Sequence, residues 1–273
     1  MKIHFHGTAA AEGFPGLFCR CEHCMKAIEL GGKNIRTRTS VTIDDVLKID
    51  FPPDTYYHVL RDRYHLARVE DLFITHTHHD HLYADDIRMR MPVFASEPAH
   101  PLNIYGHDMP MRLLTEHLER NETCFRFQRI VPFAAVEAKT ARVTPLPADH
   151  NPMETCLLLY IERNGKRILY GHDTGWFPDE TWSFLQGRTI DLAIMDCTNG
   201  LLPERRNHLN IEAVVEIQDI FRREGIFHPG SQMIATHFSH NIGLMHDDLS
   251  NIFEPHGIIT AYDGMIHHVS ELA

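Results

Sequence analysis

The chain is predicted to fold as an α/β protein, on three observations. Apolar runs of strand length recur along it, at Asp71 to Thr75, Arg167 to Gly171, Asp191 to Asp196 and Met233 to Thr236. Asn164-Gly165 and Asp263-Gly264 each separate two such runs, which is the signal of a tight β-hairpin. Asn210 precedes a helix-period stretch that gathers Ile211, Val214, Val215, Ile217, Ile220 and Phe221 on one side. With 273 residues and 43% hydrophobic content the chain can bury a sizeable core. No low-complexity run, long linker or internal repeat divides it, so one domain over residues 1–273 is expected.

Charge narrows the partners. Lys and Arg number 26 against 37 Asp and Glu, and the formal net charge of −11 works against bulk nucleic acid or an anionic membrane surface. A small phosphorylated substrate stays compatible, because bound divalent cations would reverse the sign locally. The sequence holds neither an apolar run of about 18 residues nor a charged-then-apolar leader, so the expected compartment is the cytoplasm. A homodimer is among the expected assemblies.

From the start, Met1 to Gly7 alternates as a first strand. His4 and His6 lie two apart on it, but no acidic neighbour or turn accompanies them, and they are expected to be ordinary strand residues. Next, Cys19, Cys21 and Cys24 form a C-x-C-x-x-C cluster, giving a small zinc-binding loop at about residues 17–26. A tetrahedral site needs a fourth ligand. His23 lies inside the loop and is poorly placed, whereas His240 is a better candidate. Ser40 to Asp50 reads as a hairpin turning on Asp44-Asp45, and a carboxylate at its end, Asp50, is suited to orient a ligating histidine from behind. Residues 55–68 read as a surface helix with Arg61, Arg63 and Arg68 solvated.

The densest chemistry follows. His76, His78, Asp80 and His81 fall within six consecutive residues directly after the apolar run at Asp71 to Thr75. In an extended exit from a strand, residues two apart point the same way, so His76 and His78 can serve one metal. Asp80 and His81 open a helical turn and splay towards a second point. Neutral imidazole suits Zn, Fe or Mn, and a carboxylate adds the charge that a hydrolytic pair of cations needs.

This H-x-H-x-D-H segment resembles the signature of the metallo-β-lactamase fold superfamily. The resemblance implies a four-layered αββα sandwich with metals at one edge, and further ligands where a His or Asp follows directly on an apolar strand. His150, Asp173 and His237 meet that criterion in the expected order. The implied arrangement is two divalent transition-metal ions, Zn, Mn or Fe. One is held by His76, His78 and His150, the other by Asp80, His81 and His237, with Asp173 bridging. Asp50 matches the superfamily's strand-terminal Asp, although Phe51-Pro52-Pro53 follow it where the family usually has small residues.

The C-x-C-x-x-C cluster together with Thr236-His237-Phe238-Ser239-His240 is similar to the cyclic phosphodiesterases of the carbon-phosphorus lyase pathway. That likeness implies one structural zinc on Cys19, Cys21, Cys24 and His240. It also implies a catalytic histidine from Arg206-Asn207-His208, with His208 either donating a proton to the leaving oxygen or steadying the phosphoryl charge, and Asp80 counted beside it in the catalytic set. The implied substrate is a cyclic phosphate on a ribose, such as phosphoribosyl 1,2-cyclic phosphate or a 2′,3′-cyclic nucleotide. Arg205 and Arg206 either grip a substrate phosphate or are solvated. Two alternatives remain open: a tRNA-processing endonuclease of the same fold, which would need a basic arm that the sequence lacks, and a metal-binding cofactor-pathway protein without hydrolytic turnover.

Overall fold

The computed structural model describes residues 1–96, 100–118 and 123–269. Its first sheet takes β1 (Lys2–Gly7), β2 (Ser40–Ile43), β3 (Leu47–Ile49), β4 (Asp71–Phe73), β5 (Leu102–Gly106) and β6 (Phe125–Arg129). The second takes β7 (Val136–Glu137), β8 (Arg142–Pro147), β9 (Leu157–Arg163), β10 (Lys166–Gly171), β11 (Ile190–Asp196), β12 (Phe227–Thr236) and β13 (Ile258–Thr260). The last strand, β14 (Met265–His268), returns to the first sheet beside β1. Strand orders are β14-β1-β2-β3-β4-β5-β6 and β13-β12-β11-β10-β9-β8-β7.

Alternation along the strands builds the layers. Leu157, Leu159 and Ile161 of β9 and Leu192 and Ile194 of β11 pack between the sheets against Ile3, Phe5, Val41 and Ile49. The intervening Leu158, Tyr160, Ala193 and Met195 turn outwards. The helices, in chain order, are α1 (Glu22–Leu30), α2 (Thr55–Asp62), α3 (Ala84–Ile87), α4 (Asp108–His117), α5 (Asp179–Leu185), α6 (Ile211–Arg223) and α7 (His246–Phe253). Apolar residues of α5, α6 and α7 cover the outer face of the second sheet, and those of α3 and α4 cover that of the first. Each fully buried Leu or Ile contributes about 1.5–3 kcal/mol. The result is the expected four-layered αββα sandwich.

Parallel pairing decides where the functional residues emerge. β3 and β4 run parallel, so Asp50 and the segment after Phe73 leave from the same edge. β10, β11 and β12 also run parallel, which delivers Asp173, Asp196 and His237 together. The Asp44-Asp45 and Asn164-Gly165 turns form as expected, with positive φ at all four residues. Asn210 caps α6, its side chain accepting from the Ala213 N–H at 2.8 Å. Among the described residues no helix is long and apolar enough to cross a membrane.

Three expectations are corrected. Asp263-Gly264 does not close a hairpin: β13 lies in the second sheet and β14 in the first, so this turn carries the chain between sheets. Asp263 is held there by the Thr8 hydroxyl at 2.7 Å and the Thr37 N–H at 2.8 Å. Arg61 is not simply solvated, since it bonds both Asp62 at 2.7 Å and Asp263 at 3.0 Å. His4 and His6 do have an acidic partner. α2 packs across β1 and brings Asp62 to 2.7 Å from His6 Nδ1 and 3.7 Å from His4 Nε2.

Candidate metal centre

The segment after β4 leaves the sheet and turns at once, because the His81 and Leu82 N–H groups both donate to the His78 carbonyl at 2.9 Å. That turn throws the four side chains into one space. His76 Nε2 lies 2.9 Å from His78 Nδ1, and His150 Nε2 lies 3.0 Å from the same atom. Asp173 Oδ2 is 3.3 Å from both His76 Nε2 and His150 Nε2. The same oxygen is 3.0 Å from His81 Nε2, while Asp173 Oδ1 is 2.9 Å from His237 Nε2. Asp80 Oδ2 stands 3.3 Å from His81 Nε2 and 3.8 Å from His237 Nε2. Two groups of donor atoms therefore share Asp173.

Backbone conformation aims these residues. Asp50, Asp173 and His237 each follow a strand with φ of 59°, 48° and 60°, a left-handed step that swings the side chain out of the strand's alternation. The remaining imidazole nitrogens are engaged from behind. His81 Nδ1 donates to Asp50 Oδ2 at 2.7 Å, and His150 Nδ1 donates to the Asn207 carbonyl at 3.0 Å. His76 Nδ1 is 3.0 Å from the Thr75 hydroxyl, and His237 Nδ1 is 2.7 Å from the Thr198 hydroxyl. Such outer contacts set ring tautomer and orientation in metal sites.

The donor set fits divalent cations. His81 Nε2, His237 Nε2, Asp80 Oδ1 and Asp173 Oδ1 are buried and make no hydrogen bond, although buried polar atoms are nearly always satisfied. Burial resists ionisation of Asp173, yet the facing His237 and His81 hold its carboxyl well below the usual range. Against burial, Asp173 and Asp80 in turn carry His237 up to about 10. Imidazolium protons stored in this way are those a divalent ion displaces on binding.

His208 stands at the rim. Its ring centroid is 4.8 Å from that of His150 and 5.7 Å from that of His237, and Nδ1 donates to Asp196 Oδ2 at 2.7 Å. Burial pulls its pKa down, but the Asp196 carboxylate and then that of Asp173 together outweigh it, and the net shift is upward. His78, His150, His208 and His237 line a cavity of about 330 Å³, together with Glu12, Thr198, Asn199 and Asn241. Among the described residues no Lys or Arg lines it. Arg205 faces elsewhere, pairing with Glu216 at 2.8 Å and lying 5.1 Å from the Trp176 ring, and Arg206 is not in the lining either.

A second group lies nearby. His240 Nδ1 is 3.7, 4.0 and 3.6 Å from the sulfurs of Cys19, Cys21 and Cys24, spacings close to a tetrahedron's edges around one zinc-sized ion. The N–H groups of Gly16, Cys21 and Cys24 donate to Cys24, Cys19 and Cys21 sulfurs respectively. Chiefly through the Cys24 N–H, and then His240, the Cys21 thiol is lowered to about 6.

Every residue selected from the sequence as a ligand thus falls into one of three clusters: His76, His78, His150 and Asp173; Asp80, His81, Asp173 and His237; and Cys19, Cys21, Cys24 and His240. His172, set aside on strand geometry, is buried and stacks on Tyr170 at 4.2 Å. Sequence reasoning gave no role to Asp196, although it ends an apolar strand just as Asp173 does. Thr198 and Glu12 carry no local signal.

The chain belongs to the β-lactamase superfamily, whose domain model matches residues 46–238, and its fold is that of the metallo-β-lactamases. Three solved structures are similar over nearly their whole length. A diphosphatase from the PhnP family is 23% identical, covering 98% of this chain and 97% of that one with a TM-score of 0.73. Zinc-bound PqqB from Methylobacterium extorquens is 17% identical, with coverage of 98% and 100% and a TM-score of 0.74. The short form of human tRNase Z is 15% identical, with coverage of 99% and 100% and a TM-score of 0.70. At these identities the likeness shows the fold alone. No curated protein matches the sequence.

Proposed function

We propose that this protein is a metal-dependent hydrolase of small phosphodiesters, with a cyclic phosphate on a ribose as the substrate class. The observation that carries the reading is the Asp196–His208 pair, a proton donor facing the same cavity as the two donor groups that share Asp173. His76, His78 and His150 would hold one divalent ion, Zn, Mn or Fe, and Asp80, His81 and His237 a second, with one Asp173 carboxylate serving both. Cys19, Cys21, Cys24 and His240 would hold a structural zinc. Bound in pairs, such ions supply Lewis acidity towards phosphoryl oxygens and make hydroxide available from water at neutral pH.

The protein's own groups do the rest. Asp50, Thr198 and the Asn207 carbonyl keep His81, His237 and His150 in fixed tautomers. His208, with Nδ1 committed to Asp196, has Nε2 to hand a proton to the departing oxygen. A lining without Lys or Arg disfavours the tRNA-processing alternative, because a polyanion would need more cationic contacts. The proton donor disfavours a pure metal carrier.

The test is hydrolysis of bis(p-nitrophenyl) phosphate and of ribose cyclic phosphates by fully metallated protein, beside His208→Ala. Turnover that the variant loses by about 10²- to 10⁴-fold with metal content intact supports the reading. Absence of any hydrolysis by the metallated wild type overturns it.

A further inference from the structure

Glu12 sits on the loop between β1 and α1 and reaches the candidate substrate cavity. One of its oxygens is already in use: Oε1 accepts from the Ser239 hydroxyl and from the His240 N–H at 3.2 Å. Among the described residues Oε2 has no hydrogen-bond partner. Beside it, Asn199 spends both N–H bonds of its side chain on the carbonyls of Glu204 at 3.1 Å and His208 at 2.9 Å, which leaves only its Oδ1 for the cavity. At this side the wall therefore offers a carboxylate oxygen and an amide oxygen as acceptors, beside the Asn241 amide and the imidazoles of the candidate metal centre. Among the described lining residues none is Lys or Arg, and none is Phe, Tyr or Trp.

Chemistry follows from that inventory. Free acceptors in a partly enclosed wall are satisfied by O–H or N–H donors, and a bare alkyl group would leave them unpaired. A second anionic group would face the Glu12 carboxylate at close range. A nucleobase would find only the imidazoles of His78, His150, His208 and His237 on which to stack, with no Phe, Tyr or Trp.

We propose that Glu12 is the specificity-determining residue of this site, selecting esters whose organic group is uncharged and carries hydroxyls. The assignment rests on the phosphodiesterase reading above and deepens it, since it concerns the half of the substrate that the metal ligands do not touch. It also gives the cysteine cluster a part in recognition. The His240 that faces the three sulfurs supplies, through its own N–H, one of the two bonds that fix Glu12.

The test uses the full metallated chain and three diesters with one leaving group: glyceryl, propyl and 3-carboxypropyl p-nitrophenyl phosphate. Wild type should favour the glyceryl over the propyl ester by about 10- to 100-fold in kcat/KM, the range of a hydrogen bond to a charged group. Glu12→Gln should cut that preference about tenfold, mainly through KM, and lower the KM of the carboxypropyl ester. The last change is a gain that damaged folding cannot produce. A wild type without preference, or a variant that loses all three esters in parallel, overturns the assignment. Calorimetry with glycerol 1-phosphate and propyl phosphate separates the two readings. If no ester is hydrolysed, the phosphodiesterase reading fails, while tighter binding of the glycerol ester would still support the acceptor wall. Equal binding would sink Glu12.

Discussion

Nδ1 of His208 donates to Oδ2 of Asp196 across 2.7 Å, and that aspartate is fully buried behind the ring. A histidine giving up a proton must still hold one at working pH, and the net upward shift of His208 extends that range. Replacing Asp196 with Asn should therefore move the alkaline limb of the kcat profile to lower pH and reduce kcat at pH 8 by about 10–100-fold, with KM little changed. A limb that stays in place would remove Asp196 from proton delivery.

Asp50 holds His81 Nδ1 at 2.7 Å while its other oxygen accepts from the Thr75 N–H at 2.8 Å. Asp50→Ala should free both the ring and the start of the H-x-H-x-D-H segment. The expected outcome is a loss of about 10–100-fold in affinity for the ion at Asp80, His81 and His237. Chelator competition followed by elemental analysis reads it directly, and undiminished retention of that ion would deny Asp50 the role.

Cys24 is fully buried and its sulfur lies 3.6 Å from His240 Nδ1. Cys24→Ser should remove one zinc of about three transition-metal ions per chain, leaving the pair at Asp173 in place. The melting temperature should fall with it, because ions held by a folded site stabilise that fold. Unchanged zinc content in the variant would refute the cluster.

Lys48 is wholly buried, its ammonium bonded to the Ser40 hydroxyl, and burial drops its pKa to about 7 despite Asp50 and Asp62. Its ordinary value is 10.5. Between these two values the unfolded chain keeps a proton that the folded chain has lost, so stability should rise with pH across that window, by at most about 1.4 kcal/mol per pH unit. Below pH 7 the folded state carries the full penalty of a buried ammonium. Lys48→Met should flatten the slope and raise the denaturation midpoint at pH 6. Equal slopes in the two proteins would contradict this.

The sequence exposed some of this arrangement because of how its parts are spaced. Four donors of the centre are consecutive or nearly so, and His150, Asp173 and His237 each sit where an apolar strand stops, which is where the resemblance implies further ligands. Asp196 ends an apolar strand in the same way, and nothing beside it in the sequence sets it apart from any other strand-end aspartate. Asp and His enter left-handed φ more readily than most residues, but residue type does not say which of them will, and at Asp50, Asp173 and His237 that step decides where the side chains aim. Contacts between distant segments were invisible for a different reason. His6 meets Asp62 across 56 positions, and Glu12 reaches the cavity only because residues 239 and 240 hold it. The Asp263-Gly264 turn looked like a hairpin because turn chemistry reports local curvature and says nothing about which sheet the next strand joins.

That crossover has a consequence for biosynthesis. The layer bearing the H-x-H-x-D-H segment ends at β14, which pairs Lys2 with His268 and Phe5 with Met265. Until those closing residues leave the ribosome, β1 presents an open rank of amide and carbonyl groups to any neighbouring nascent chain. Translation stalled shortly before residue 265 should thus leave that side of β1 unpaired and yield a sticky product.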